Sequence, residues 1–173
     1  MKIGYFSRLV LIVLLVFPMV LSQAVFAQDV AGSSACCDMS DFANRAYTTE
    51  EKENLELVLN VYNYVLKPLD SSRVDDFIAP DYIQHSPLAE SGAQGLKDFL
   101  DFAGAKSPLA EHHLKRMFVD GDYVIAHVHV IINPGDSGNA VVDIFRIENG
   151  MVAEHWDAAQ EVPVDSVNPN GMF

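Results

Sequence analysis

The chain has 173 residues, half of them hydrophobic, with 24 acidic against 11 basic side chains and a formal net charge of −13. A surface this acidic, without a cluster of Lys or Arg, repels phosphate backbones and anionic lipid headgroups, which argues against nucleic acid and membrane surfaces as partners. The length is enough for one well-buried core once a leader is set aside.

Lys2 and Arg8 precede an uncharged stretch from Leu9 to Gln28, apolar from Leu9 to Leu21 apart from Pro18. Val25-Phe26-Ala27 then places small residues where a signal peptidase cuts, so residues 1–27 read as a cleaved secretory signal and the destination as periplasmic or secreted. The alternative, an uncleaved anchor, is opposed by Pro18 and the polar Ser22-Gln23 pair. Loss of Lys2 and Arg8 leaves 9 basic residues against 24 acidic ones, a net charge of −15. Residues 28–47 have no sustained apolar period and read as a flexible linker. Adjacent Cys36 and Cys37 lie within it; they cannot build a zinc site locally, and in an oxidising compartment they would cross-link chains or sit in a mobile tail.

The folded domain is expected over 48–173. Thr48 followed by Glu51 is a capping box, and Leu55, Val58, Leu59, Tyr62 and Val65 recur at helical spacing until Lys67-Pro68, which predicts a helix over 48–66. A short second helix is expected from Ser72 to Ala79-Pro80, and a third from Gly92 to Phe102. After Pro108 the period changes to that of strands: His112–Val119, Tyr123–Ile132, Ala140–Ile147 and Met151–Gln160, separated by turn residues. Helices followed by an antiparallel meander imply an α+β fold, not an alternating βαβ design.

The last third places ionisable groups where strands should be apolar. Asp143 interrupts Val141, Val142, Ile144 and Phe145, and His155 and Asp157 flank the only tryptophan, Trp156. An unpaired polar group in an apolar enclosure costs roughly 2–7 kcal/mol, so these residues mark a candidate site. Tyr123, Ile125, His127, His129 and Ile131 share one strand face. Symmetric closure of the Asn133–Asn139 loop about Asp136 would set His129 opposite Asp143 and His127 opposite Phe145. Across the Asn149-Gly150 turn, a two-residue loop puts Trp156 opposite Asp143 and a bulged three-residue loop puts His155 there. Asp157 is equally well read as a solvated or turn-capping carboxylate.

The run Asp143, Arg146, Gly150, Glu154, His155, Trp156, Asp157 and Gln160, preceded by Tyr82, Gln84, His85, Pro87 and Gly92, resembles the SnoaL-like polyketide cyclase branch of the nuclear transport factor 2-like superfamily. The resemblance runs from about Glu50 to the C-terminus. It implies a cone-shaped α+β barrel, in which a bent antiparallel sheet wraps around a long N-terminal helix and encloses a deep apolar pocket. It also implies ring closure by intramolecular aldol condensation with an acidic residue as acid and base, without metal or organic cofactor, and by motif position that residue is Asp143. Ser86 stands where the family commonly has Asn, and Met151 where it commonly has Lys.

A base that takes a proton α to a carbonyl gains strength from apolar surroundings, and Asp143 lies between valines and a phenylalanine. His129, or His85 from the Tyr82–Pro87 loop, would hold a developing enolate oxygen or relay the proton. Tyr82, His127, Phe145, His155 and Trp156 complete the expected binding residues, and the expected ligand is a small apolar carbonyl compound. A non-catalytic binding module with the same pocket is the rival reading. Gly121 with His127-Val128-His129 also resembles the first half of the cupin metal signature, but the downstream Glu of that signature is missing. An outward surface of Val128, Val130, Val142 and Ile144 would need covering, which predicts a homodimer.

Overall fold

The computed structural model describes residues 46–173. The expected leader, Cys36 and Cys37, and all but the last two residues of the expected linker lie outside the described residues. Thr48 caps helix α1 (Thr49–Val61): its hydroxyl accepts from the Glu51 amide at 3.1 Å, and the Glu51 carboxylate accepts from the Thr48 amide at 2.8 Å. The second Glu51 oxygen accepts from the Gly121 amide at 3.2 Å, and the Asn54 side chain donates to the Gly121 carbonyl at 3.1 Å. The helix start is therefore tied to a distant strand turn, and two buried polar side chains are satisfied in doing so.

The helix continues into a π turn at Tyr62–Leu66, closed by a bond from the Lys67 amide to the Tyr62 carbonyl at 2.9 Å. Its buried stripe is Val58, Val61, Tyr62 and Val65; Leu59, placed inside by the apolar spacing, is 38 % exposed. A 3-10 helix (Ser71–Asp76) follows, with the Asp70 side chain accepting from the Ser72 amide. The second helix stops there and does not reach Ala79-Pro80. Ile78–Gln84 is instead strand β1, whose Pro80, having no N–H, is tolerated because the strand is at the sheet edge. Helix α2 (Ala93–Lys106) extends one turn beyond the expected Phe102. Gly95 permits its entry, since a Cβ there would lie 2.2 Å from the Glu90 carbonyl oxygen.

Four further strands, β2 (Glu111–Asp120), β3 (Tyr123–Ile131), β4 (Asn139–Glu148) and β5 (Met151–Glu161), form the expected meander. The five-stranded sheet has the order β1-β5-β4-β3-β2, antiparallel throughout except that β1 runs parallel to β5. Val58, Tyr62 and Val65 of α1 share a core with Val124, Val128, Phe145 and Val152 of the sheet, and each fully buried side chain of this kind stabilises by roughly 1.5–3 kcal/mol. This is the α+β fold expected, an unclosed bent sheet with its helices on the inner side.

Two strand registers differ from expectation and decide what faces inward. Ala126, not His129, lies opposite Asp143; His129 pairs with Ala140 and His127 with Val142. The loop closes about Pro134-Gly135 instead of Asp136, and this shift by an odd number of residues sends His127 and His129 to the opposite face from Asp143. Val128 and Val130 correspondingly turn inward, leaving only Val142 and Ile144 of the four residues expected outside. In the β4–β5 hairpin the Asn149-Gly150 turn has two residues of positive φ, 53° and 73°, as a type I′ turn requires. Ile147 pairs with Val152 and Arg146 with Glu154, so Ala153 is an extra residue in a bulge. Asp143 then faces Asp157, and Phe145 faces His155; neither His155 nor Trp156 is directly opposite Asp143.

Candidate active site

Asp143 is buried on the inner face of β4. Alternation along β4 puts Phe145 beside it, the β4–β5 register adds Asp157 and His155, and the parallel register pairs Gln84 of β1 with His155. The Tyr62 hydroxyl, at the first residue of the π turn, donates to Asp143 Oδ2. A π turn shifts the helical phase by one residue per turn and recurs at functional positions.

His155 Nε2 lies 3.2 Å from Asp143 Oδ1, while its Nδ1 lies 2.8 Å from Gln84 Oε1. The Ser86 amide donates to the same Gln84 oxygen at 3.0 Å, and Gln84 Nε2 donates to the Tyr82 hydroxyl oxygen at 2.9 Å. A backbone amide can only donate, so the Gln84 oxygen is fixed as the acceptor and His155 Nδ1 must carry hydrogen. A neutral imidazole would then present a lone pair at Nε2 to an acceptor-only carboxylate. A hydrogen bond across this contact takes one more proton, carried by His155 or by Asp143.

Burial foremost, then the charge of Asp143 and the hydrogen bond to it, pushes the Tyr62 pKa well above the usual tyrosine value. Burial, followed by the charges of Asp143 and Asp157, does the same to Tyr82. Both hydroxyls stay protonated at neutral pH. Tyr62 gives its proton to Asp143. Tyr82 already accepts from Gln84, and its own proton has no acceptor among the described residues, so it can be offered to a ligand oxygen. Phe145 walls the site, with its ring centroid 6.0 Å from that of Tyr62 in an edge-to-face contact and 4.9 Å from that of His155.

Of the expected site residues, Asp143, Tyr82, Phe145 and His155 come together. His129, His127, His85 and Trp156 do not. His129 Nε2 bonds the Ser137 carbonyl at 2.8 Å, and the rings of His127 and His129 pack on Phe173 at 5.3 and 4.5 Å. His85 follows the inward Gln84 and so turns outward, where it stacks on Trp156 at 4.6 Å and bonds Glu154 at 2.7 Å. The Ala153 bulge is what puts Trp156 outside. No group of three or more His, Cys, Asp or Glu side chains among the described residues is arranged to hold a metal ion. Two surface concavities, of about 590 and 240 Å³, border Arg146 and Asn149 and include none of the Asp143 network.

Sequence reasoning missed Tyr62, which its helical spacing marks as ordinary core, and gave Gln84 no role. It also left the direction of Asp157 open. Gln84 was within reach, because any residue pairing with His155 on an inner face must answer its second nitrogen.

The SnoaL-like domain model matches residues 58–155. A protein assigned as a SnoaL-like polyketide cyclase from Jannaschia sp. CCS1 superposes with a TM-score of 0.57 at 20 % identity, over 67 % of this chain and 91 % of that one. One assigned as a polyketide cyclase from Bacillus cereus gives 0.57 at 17 % identity, covering 66 % and 78 %. One assigned as a SnoaL-like isomerase from Agrobacterium tumefaciens gives 0.52 at 18 %, covering 65 % and 99 %. At these identities the likeness establishes the fold. A search of curated proteins gives no match.

Proposed function

The chain belongs to the SnoaL-like family, and from that premise we propose that it is an exported, cofactor-independent acid–base catalyst acting on a small, largely apolar carbonyl compound. The reaction class is aldol cyclisation, isomerisation or dehydration. The observation that carries this reading is the buried contact of His155 Nε2 with Asp143 Oδ1 at 3.2 Å, across which one proton can pass. In the form where His155 holds it, Asp143 is a carboxylate able to take a proton α to a carbonyl, and the developing enolate oxygen can accept from Tyr82. The carbanion then attacks a second carbonyl carbon, whose oxygen takes up a proton; or the proton returns to a different carbon; or the β C–O bond breaks and the hydroxyl leaves with that proton as water. Each route begins and ends with the same protonation state, so no external oxidant or reductant is required.

Turnover on a panel of β-keto and α,β-unsaturated carbonyl compounds tests this. Asp143→Asn keeps the size of the side chain and removes the basic oxygen, so turnover should fall by about 10²–10⁴-fold with the fold and the ligand affinity retained. Undiminished turnover in that variant would refute the assignment. Retention of ligand by every variant, with no product from any, would favour the binding module.

We propose also that the protein is a homodimer joined through the outer sheet face, where Phe118, Tyr123 and Val142 are 52, 44 and 39 % exposed around Ile144 and Trp156. An apolar patch of this kind is rarely left open in a monomer. Sedimentation as a monomer at micromolar concentration would count against it.

A further inference from the structure

One buried polar group on the inner face has no task in this mechanism. His112 of β2 pairs with Val130, and two residues further on Leu114 pairs with the fully buried Val128. Alternation therefore turns His112 inward with Leu114, onto the face that carries Asp143. Its Nδ1 is buried and has no hydrogen-bond partner among the described residues. The neighbouring His113 differs: it faces out and bonds Glu111 at 2.6 Å.

An unsatisfied buried donor or acceptor costs about 1–3 kcal/mol, and a hydrophobic side chain in the same place would avoid that cost. Burial is the largest influence on His112 and lowers its pKa, against the charge of Asp143 and alongside those of His113 and Lys67. A neutral imidazole offers one donor and one acceptor, so a hydroxyl satisfies either tautomer.

We propose that His112 binds a second oxygen of the ligand, one that is not the reacting carbonyl at Asp143 and His155. This rests on the acid–base reading and narrows its substrate class from a simple ketone to a carbonyl compound bearing a further hydroxyl or carbonyl group. A site built to hydrogen-bond such an oxygen discriminates strongly against the analogue without it, because the protein group is then left unpaired.

Calorimetric binding of ring-hydroxylated cyclohexanones and of cyclohexanone itself tests the proposal. The wild-type protein should bind the best hydroxylated ketone about 5- to 150-fold more tightly than cyclohexanone, the range set by one buried hydrogen bond. His112→Leu should lose that preference, keep its affinity for cyclohexanone and melt no lower than wild type. His112→Asn, which keeps a polar group, should retain part of the preference and serves if the leucine variant does not fold. Asp143→Asn should lose turnover yet keep the preference, so the two assignments fail separately. Equal binding of the compounds by the wild type, binding of none of them, or a wild-type preference persisting in both His112 variants overturns the proposal.

Discussion

The two faces of one sheet hold histidines in opposite circumstances. On the inner face His155 lies between a buried carboxylate at 3.2 Å and a fixed amide oxygen at 2.8 Å. On the outer face His127 and His129 pack against Phe173, and His129 is engaged by a backbone carbonyl. Outer histidines also meet carboxylates, His85 at Glu154 and His113 at Glu111, but His155 meets a buried one and has its second nitrogen held by Gln84. The difference is set by strand parity, which a loop centre or a single bulge residue can reverse without any change in the composition of the strand.

The strongest way to break this contrast is to shift β5 by one residue beyond its bulge. Inserting one alanine between Glu154 and His155 would set Trp156 opposite Asp143 and turn His155 and Asp157 outward. We expect turnover to vanish and stability to fall by about 3 kcal/mol or more, as for other changes that strand a buried polar group and overpack a core. Urea unfolding and the turnover assay measure both. Wild-type activity in the insertion variant would mean that the face of His155 does not matter.

A matched pair of substitutions sharpens the contrast. His155→Ala removes the partner of Asp143 and should lower turnover by about 10²-fold or more. His129→Ala removes a hydrogen bond and ring packing on the far face, and should cost about 1 kcal/mol of stability with turnover close to wild type. Equal losses of activity in the two variants would erase the distinction between faces.

The capping box, the four strands of the meander and the inward Asp143 are legible from the sequence, because each rests on local periodicity or on a turn with a defined residue preference. The histidine that meets Asp143 is not, because it depends on the Pro134-Gly135 loop centre and the Ala153 bulge, each of which moves the pairing without disturbing the alternation on which strand assignment relies. Strand β1 was hidden by Pro80, which reads as a terminator unless the strand is known to lie at an edge. Tyr62 was hidden differently: at helical spacing an apolar ring and a proton-donating hydroxyl look the same, and only the long-range pairing with Asp143 separates them.

The smallest expected effect concerns His112, the inner histidine without a partner. Burial holds its folded pKa below the ordinary 6.5, so the unfolded chain takes up a proton first as the medium is acidified. Unfolding is then coupled to proton uptake, and stability must rise with pH across that interval. The contribution of this group is complete above pH 6.5 and is lost as pH falls through the lower, folded value. Asp143, His113 and Lys67 are the charged groups that modulate it, and the nearby carboxylate opposes the loss. Urea titrations from neutral to mildly acid pH should show a shallower decline for His112→Leu than for the wild type. If His112→Leu follows the wild-type curve throughout, the inner histidine is not desolvated as its buried Nδ1 implies, and the contrast between the two faces narrows to His155 alone.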